Sequence, residues 1–269
     1  MDRKKEDFLE ILFGYYDLLA RDLPWRQNSH VADPYKIMVS EIMLQQTQVN
    51  RVIPKYESFL KVFPNVASLA NAKLADVLVL WSGLGYNRRA KFLWQAAQQI
   101  QNECAGNFPR TIQELIKLPG IGKNTAGAIV AYAFNQKIVF IETNIRTVLL
   151  HHFFAAKSKV SDRELEAVLT KIIKTIDDPR NFYWAMMDYG SFLKKSGNNS
   201  IKSSHYTKQT TFKGSKRQIR GLVIKLLSTK PHSKKMLQEH VLDQRLEEVL
   251  KDLAAEGLIT KNSSHYSLG

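Results

Sequence analysis

Apolar residues recur every three or four positions through most of residues 1–193, and this period predicts a mainly all-α fold. Short segments containing Pro, Gly and Asn separate the helical stretches. Thr111 and Glu114 have the spacing of a capping box at a helix start. The helical pattern covers residues 1–19, 35–56 with an interruption near Pro54, 66–81, 88–103, 111–117, 124–134 and a stretch beginning at Thr143.

The last quarter of the chain has a different pattern. Residues 196–215 are polar and carry no helical period, so they predict a basic linker after a first domain of residues 1–195. Residues 216–269 predict three helices followed by a short hairpin, which is typical of a small winged-helix-like α+β domain. Such modules bind DNA or other proteins, and the sequence leaves both open. The three helices lie near 218–228, 233–241 and 246–256.

The charge distribution points to a polyanionic partner. The 269 residues carry a formal net charge of +14, and residues 194–235 hold twelve Lys or Arg and no Asp or Glu. Nucleic acid is the first candidate for such a chain. The same segment also fits a solvated, mobile linker, whose affinity for phosphate would depend on salt.

Several classes of protein are disfavoured. No apolar run has the roughly 20 residues needed to span a bilayer, so no membrane association is expected. The first residues lack the pattern of a signal peptide, so we expect a cytoplasmic, nucleoid-associated protein. Cys104 is the only cysteine, which excludes an intrachain disulfide and a four-cysteine cluster. The adjacent His151 and His152 have no evident third ligand, and no metal is expected.

The segment LPGIG (118–122) lies between two predicted helices. Its glycines, Gly120 and Gly122, permit backbone conformations closed to other residues. The amides that open the next helix would then form an anion site suited to a DNA phosphate, with Lys123 beside it. This is the pattern of a helix-hairpin-helix motif, although a plain turn between helices can have the same sequence.

Two glutamates have contrasting settings. Glu41 lies among apolar neighbours on its predicted helix, so desolvation is expected to raise its pKa and suit it to general acid chemistry. Glu142 precedes a predicted helix start, where the helix dipole favours the ionised form. Paired carboxylates of opposed pKa suit the cleavage of a glycosidic bond. Either residue alone also fits an ordinary surface or helix-start glutamate.

Several segments together resemble a known family, the MutY-type adenine DNA glycosylases of the helix-hairpin-helix superfamily that includes endonuclease III. The resemblance covers roughly residues 5–193. Its most specific piece is SEIMLQQT, because a glutamate there separates adenine glycosylases from endonuclease III. The matching segments are LPWR (23–26), VSEIMLQQTQV (39–49), WSGLGYNRRA (81–90), LPGIGKNTAGAI (118–129), IETNIRTVL (141–149) and NFYWAMMDYG (181–190).

The resemblance implies roles for individual residues. Glu41 would protonate the departing adenine at N7, Glu142 would replace the family's sugar-stabilising aspartate, and Asn144 would assist in the active site. Residues implied to line the base pocket are Arg21, Trp25, Arg26, Leu44, Asn124 and Trp184. Residues implied to contact DNA are Gln46, Thr47, Leu84, Tyr86, Arg89, Gly120, Gly122, Lys123 and Thr125.

The family fold would place two helical lobes around a cleft, with Glu41 facing Glu142 across it. Residues 22–134 would form one lobe, and residues 1–21 with 135–195 the other. The expected partner is double-stranded DNA containing a mismatch or lesion, bound by a monomer. The expected cofactor is none, with a monovalent cation at the hairpin left open.

Departures from the family pattern change these expectations. Lys194 stands where the first cysteine of an iron–sulfur cluster would fall, and no cysteine follows it, so the cluster is absent. Asn124 replaces the Schiff-base lysine of bifunctional relatives, so strand cleavage is not expected. The predicted winged helix stands in place of a domain that reads 8-oxoguanine.

The implied function is the hydrolysis of adenine mispaired with guanine or 8-oxoguanine. Two alternatives stay open. Glu142 is one methylene longer than the family's aspartate, and Trp184 replaces a polar residue, so thymine or uracil opposite guanine is a second candidate substrate. The second alternative is that the protein binds DNA without catalysis, on a degenerate glycosylase scaffold.

Overall fold

A computed structural model describes residues 2–27, 32–197 and 211–269, and its described part is mainly helical, as predicted. In chain order the helices are α1 (Asp2–Leu19), α2 (Pro34–Leu44), α3 (Val49–Val62), α4 (Val66–Ala70), α5 (Leu74–Trp81), α6 (Arg88–Glu103), α7 (Ile112–Leu115), α8 (Lys123–Phe134), α9 (Thr143–Phe153), α10 (Asp162–Ile173), α11 (Pro179–Ser196), α12 (Lys216–Leu227), α13 (Lys234–His240) and α14 (Leu246–Ala255). The strands are β1 (His232–Ser233), β2 (Ile259–Asn262) and β3 (His265–Leu268), and a 3-10 turn covers Pro24–Arg26. No helix among the described residues combines the length and the apolar character that a bilayer crossing requires.

The chain divides into two compact units. The first contains residues 1–37, 110–116 and 121–208, and the second contains residues 38–109, 117–120 and 209–269. Helix α2 and the turn before α8 each pass from one unit to the other. The predicted lobes, with a boundary near residue 135, stay a prediction.

In the first unit, α11 packs against α9, α1 and α8. Phe140, Phe182 and Tyr183 are almost fully buried in this core. Helix α8 lies close to Phe140 because it has a glycine at position 127, where a Cβ would lie 2.7 Å from the Cβ of Phe140. The glycine at position 127 therefore allows close packing of α8.

In the second unit, α6 packs against α4 and α5. Trp81 ends α5 inside this core and makes an edge contact with Phe59, with ring centroids 6.3 Å apart. Helix α6 begins directly after the turn at residues 82–87, so this core fixes both ends of that turn.

The C-terminal residues of the second unit form a winged-helix arrangement. The three helices α12, α13 and α14 are followed by the β2–β3 hairpin, as predicted. A two-residue strand that the sequence pattern missed, β1, pairs with β3, so the antiparallel sheet has the order β1–β3–β2. Val223, Val249 and Leu253 form its buried core.

Two predicted helices are wrong in extent. The pattern over 35–56 continues across a real break, since α2 ends at Leu44 and α3 begins at Val49. The interruption was expected near Pro54, which instead lies inside α3. Gln46 takes a left-handed conformation with φ of 55°, and this conformation ends α2.

The pattern over 66–81 likewise spans two helices, α4 and α5. Asn71 follows the last turn of α4. Asparagine is disfavoured inside helices because its side chain forms hydrogen bonds with nearby backbone groups in non-helical conformations. The capping box at Thr111 and Glu114 is confirmed. Most of the predicted linker, residues 198–210, lies outside the described residues.

Candidate functional site

Helix α2 carries Glu41 in an apolar setting. Met38, one turn earlier, is fully buried, and so are Ile42 and Met43 directly after it. Glu41 itself is half-buried. Glu41 therefore lies on α2 among buried apolar residues, as the sequence indicated, and its role as a proton donor stays a prediction.

Glu142 is the N-cap residue of α9. Its carboxylate accepts a hydrogen bond from the backbone N–H of Asn144 at 3.0 Å. Burial raises the pKa of Glu142, and the backbone amides at the helix start and the Arg146 charge oppose that rise only in part. The sequence predicted that the helix start would favour the ionised form, and its amides do lower the pKa. The net shift is nevertheless upward, because desolvation of the carboxylate outweighs the helix N-terminus.

Asn144 is held by a close contact between α9 and α11. A Cβ on Gly190 would lie 2.5 Å from the backbone oxygen of Asn144, so no larger residue fits there. The Asn144 amide nitrogen lies 3.9 Å from the sulfur of Met187. The start of α9, which carries Glu142 and Asn144, is therefore fixed by backbone contact with α11.

Asp188 on α11 binds two arginines in the first unit, and its side chain is fully buried. Its carboxylate accepts hydrogen bonds from Arg26 Nη1 and Nη2, both at 2.8 Å, and from Arg21 Nε at 2.7 Å. Burial alone would raise the pKa of Asp188, but the hydrogen bonds and charges of Arg26 and Arg21 hold it below its ordinary value. The sequence analysis missed Asp188 as a site residue, and the available signal was a lone carboxylate in the apolar segment NFYWAMMDYG.

The same arginines lie beside Trp184. The Arg26 guanidinium is 5.5 Å from the Trp184 ring centroid, and Trp184 stacks on Tyr132 with centroids 6.1 Å apart. Trp25 and Trp184 are both buried. The structure thus brings Arg21, Arg26 and Trp184 together around Asp188, and a role in holding a base stays a prediction for them.

The turn before α8 has the expected backbone. Gly120 has a φ of +77°, and its missing side chain makes room for Phe92, whose Cβ would be 2.7 Å from a Cβ at that position. Gly122 is the N-cap residue of α8, whose first turn contains no acidic residue. Lys123, Asn124 and Gly122 are exposed, and Thr125 is half-buried. An exposed helix start of this kind can bind an anion.

Arg89 joins the end of α2 to the turn at residues 82–87. Its guanidinium donates to the carbonyl oxygens of Ile42 and Met43, both at 2.9 Å, and to that of Gly85 at 3.0 Å. It also donates to the Thr47 hydroxyl at 2.9 Å. Burial lowers the pKa of Arg89 to about 10, so the group stays charged at neutral pH.

Two predicted DNA contacts have little exposed surface in this structure. Arg89 is only 8% exposed and its guanidinium binds the chain itself, so it positions the two loops. Leu84 is 2% exposed. Contact with DNA stays a prediction for both residues. Gln46 is exposed and Tyr86 is half-exposed, and both have positive φ, at 55° and 47°.

The remaining predicted residues lie in both units. Glu142, Asn144 and the Asp188 cluster belong to the first unit, and Glu41 belongs to the second. The predicted opposition of Glu41 and Glu142 across a cleft stays a prediction. The residues that belong to the second unit with Glu41 are Leu44, Gln46, Thr47, Leu84, Tyr86, Arg89 and Gly120.

Comparison with known families gives one family match. The model described as "HhH-GPD superfamily base excision DNA repair protein" matches residues 39–175. That range includes Glu41, the turn before α8 and Glu142.

Curated relatives are named adenine DNA glycosylases. The protein of Buchnera aphidicola subsp. Baizongia pistaciae is 39% identical over 186 residues, which is 68% of this chain and 51% of that protein. The protein of Mycolicibacterium smegmatis is 38% identical over 181 residues, covering 67% of this chain and 61% of that protein. The human protein is 41% identical over 144 residues, covering 51% of this chain and 26% of that protein. The chain thus spans about half the length of the first of these relatives, and less of the human one.

Solved structures share the fold. A thermostable thymine-DNA glycosylase aligns with a TM-score of 0.60 at 24% identity, covering 71% of this chain and 87% of that one. Endonuclease III in a non-covalent DNA complex aligns with a TM-score of 0.54 at 18% identity, covering 77% of this chain and 90% of that one.

Proposed function

Because the chain belongs to the HhH-GPD superfamily of base excision DNA repair proteins, we propose that it is a monofunctional DNA glycosylase that removes adenine mispaired with guanine or 8-oxoguanine. The observation that carries the proposal is Glu41, half-buried in an apolar setting within a segment that resembles adenine glycosylases. Curated relatives named adenine DNA glycosylases support the choice of base.

In this reaction Glu41 gives its proton to N7 of the adenine. The bond between N9 and C1′ breaks, and the adenine leaves with that bonding pair. The sugar becomes an oxocarbenium-like cation, which a nearby carboxylate can stabilise. A water oxygen then bonds to C1′, and the proton that the water loses passes to the Glu41 carboxylate, which regenerates the acid. The base must leave the helical stack before the enzyme can reach it.

Glu142 is the proposed stabilising carboxylate. It serves that role only when ionised, and burial raises its pKa, so the reaction is expected to slow as pH falls through that pKa. Three backbone amides at the start of α9, those of Thr143, Asn144 and Ile145, favour the charged form. Asn144, which the resemblance to adenine glycosylases places in the active site, is proposed to assist Glu142.

Cleavage of the DNA strand is not part of the proposal. A lyase step needs an amine that forms a Schiff base with the sugar. Asn124 carries an amide at the position of that lysine, and an amide nitrogen is not nucleophilic. The exposed Lys123 is one position away, and its ammonium lies 3.6 Å from the Glu166 carboxylate.

DNA is the proposed partner, bound through its backbone. The exposed start of α8 would hold one phosphate by its amides. The net charge of +14 favours association with a polyanion. Contacts of this kind position the enzyme without reading sequence.

The test is a measurement of which base is released. Duplexes with A·G, A·8-oxoguanine, T·G and U·G pairs are incubated with excess enzyme, and free bases are separated by chromatography. We expect adenine from the first two. Release of thymine or uracil alone would show that adenine is not the substrate. Release of no base from any duplex would favour the hypothesis of a non-catalytic DNA-binding protein.

A further inference from the structure

A groove of about 830 Å³ lies within the second unit, between α12 and the turns at residues 45–48 and 82–87. One wall comes from the start of α3 and the turn before α6, and the other comes from the winged-helix module. Gln46 and Tyr86, which the resemblance assigns to DNA contact, lie on its border. Side chains that line it include Gln48, Arg51, Lys55, Phe212, Gln218 and Lys225.

The groove is cationic. Arg51, Lys55, Arg217 and Lys225 line it, and no residue of the described chain that lines it is acidic. Arg51 donates to the carbonyl of Gly83, which holds its side chain on the wall. The Lys225 side chain is exposed on the opposite wall. Four positive side chains facing a shared space without a carboxylate suit a phosphodiester backbone.

An exposed aromatic side chain accompanies these charges. Phe212 is 61% exposed, although it is large and apolar. The turn that carries it is fixed, because Ser215 N–H donates to the Phe212 carbonyl at 3.1 Å and Arg245 Nη2 donates to the Gly214 carbonyl at 2.9 Å. An exposed aromatic ring on a fixed turn in a cationic groove can stack an unpaired base.

The usual DNA-reading helix of a winged helix is poorly suited here. That helix, α14, carries three carboxylates and one lysine within Leu246–Ala255. Glu247 pairs with Lys234 at 2.9 Å, and Glu248 pairs with Lys216. These ion pairs also occupy lysines that would otherwise attract phosphate. By contrast, α12 carries no acidic residue, and two of its basic residues, Arg217 and Lys225, line the groove.

The module is anchored so that α12 forms the wall. Lys91 Nζ donates to the carbonyl of Glu256 at 2.5 Å, and the Glu256 carboxylate pairs with Arg220 of α12. The Arg217 guanidinium lies 5.4 Å from the Tyr86 ring centroid and bonds its hydroxyl. The contact between α12 and the turn at residues 82–87 is therefore polar and specific.

We propose that this groove holds a DNA strand next to the target base, with α12 and not α14 as the DNA-contacting helix of the winged-helix module. Phosphates lie against Arg51, Lys55 and Lys225, and an unstacked base lies against Phe212. The proposal rests on the proposed function in assuming that DNA is the partner. It adds that the module extends the DNA surface of the second unit through its first helix.

The test compares two lysines of the same module. Lys225→Gln removes a charge from the groove, and Lys251→Gln removes one from α14, where Lys251 is exposed. Binding of the full chain to an undamaged duplex and to one with a single-nucleotide gap is followed by fluorescence anisotropy at several salt concentrations.

We expect Lys225→Gln to weaken binding about eightfold at 0.1 M salt and to lower the salt slope by about 0.9, which is the effect of one lost phosphate contact. Lys251→Gln is expected to leave both unchanged. A loss for Lys251→Gln that equals or exceeds the loss for Lys225→Gln would overturn the proposal in favour of α14. DNA affinity that is unchanged in Lys225→Gln would also overturn the proposal. In that case, binding of an acidic peptide by wild type but not by Lys225→Gln would indicate a protein partner for the groove.

A third variant tests the stacking. Phe212→Leu keeps an apolar side chain but removes the ring, and it is expected to weaken binding to the gapped duplex more than to the intact one. Equal binding of wild type and Phe212→Leu to the gapped duplex would overturn the placement of a base on Phe212. These measurements require no base release, so a failure of the glycosylase proposal would not affect their outcome.

Discussion

Replacing Arg89 with methionine tests whether this residue holds the loops around Glu41 in place. The change removes the guanidinium but keeps an unbranched apolar side chain of similar length. In the structure the lost donor serves the buried carbonyls of Ile42 and Met43, both at 2.9 Å. Leaving a buried carbonyl without a partner costs about 1–3 kcal/mol, so two of them cost about 2–6 kcal/mol.

The free energy of unfolding is measured by urea denaturation, followed by circular dichroism and extrapolated to water. Arg88→Met is the matched control, because Arg88 is the exposed neighbour and its guanidinium lies 5.4 Å from the centroid of the Phe92 ring. We expect the control to cost less than about 1 kcal/mol. Unchanged stability in Arg89→Met, combined with weakened DNA binding, would refute the positioning role and support Arg89 as a DNA contact.

Three further variants test the first unit. Glu142→Gln is expected to raise the melting temperature at pH 7 while slowing base release. Because the pKa of Glu142 is raised in the folded state, its protonated form stabilises the fold fully below the pKa of the unfolded chain, and this stability is lost as pH rises through the folded-state pKa. The gain from glutamine should therefore vanish near pH 4, and equal melting temperatures at pH 7 would contradict the raised pKa. Gly190→Ala places a Cβ 2.5 Å from the Asn144 carbonyl oxygen and should lower the free energy of unfolding by about 1–3 kcal/mol, and a loss under 0.5 kcal/mol would be inconsistent with that contact. Asp188→Asn should cost about 3–5 kcal/mol at pH 7, since it leaves Arg21 and Arg26 without their buried charge partner, and a cost no greater than that of an exposed Asp→Asn change would argue against the cluster.

Local patterns predicted what depends on nearby residues. The capping box at Thr111, the turn at residues 118–122 and the helices of the C-terminal module all follow from residues a few positions apart. The apolar setting of Glu41 also follows from its own helix, since its buried neighbours are adjacent or one turn away. Each of these features was predicted from the sequence.

Features that depend on distant residues were not predictable in this way. The last carbonyls of α2 are satisfied by a distant residue, since Arg89 lies more than forty positions away and donates to Ile42 and Met43. Asp188 meets Arg21 and Arg26 across 167 and 162 positions. The raised pKa of Glu142 was not predicted, because the helix start is visible in the sequence, whereas the burial of the carboxylate depends on tertiary packing.

The role of Glu41 is the central claim, and one rate constant tests it directly. The single-turnover rate of adenine release from an A·G duplex is measured at saturating enzyme for wild type and Glu41→Gln, with DNA affinity and unfolding measured in parallel. Glutamine keeps the shape but has no acidic proton, so we expect a loss of about 100-fold or more in rate with affinity and stability nearly unchanged. A Glu41→Gln rate equal to that of wild type would contradict the assignment of Glu41 as the proton donor.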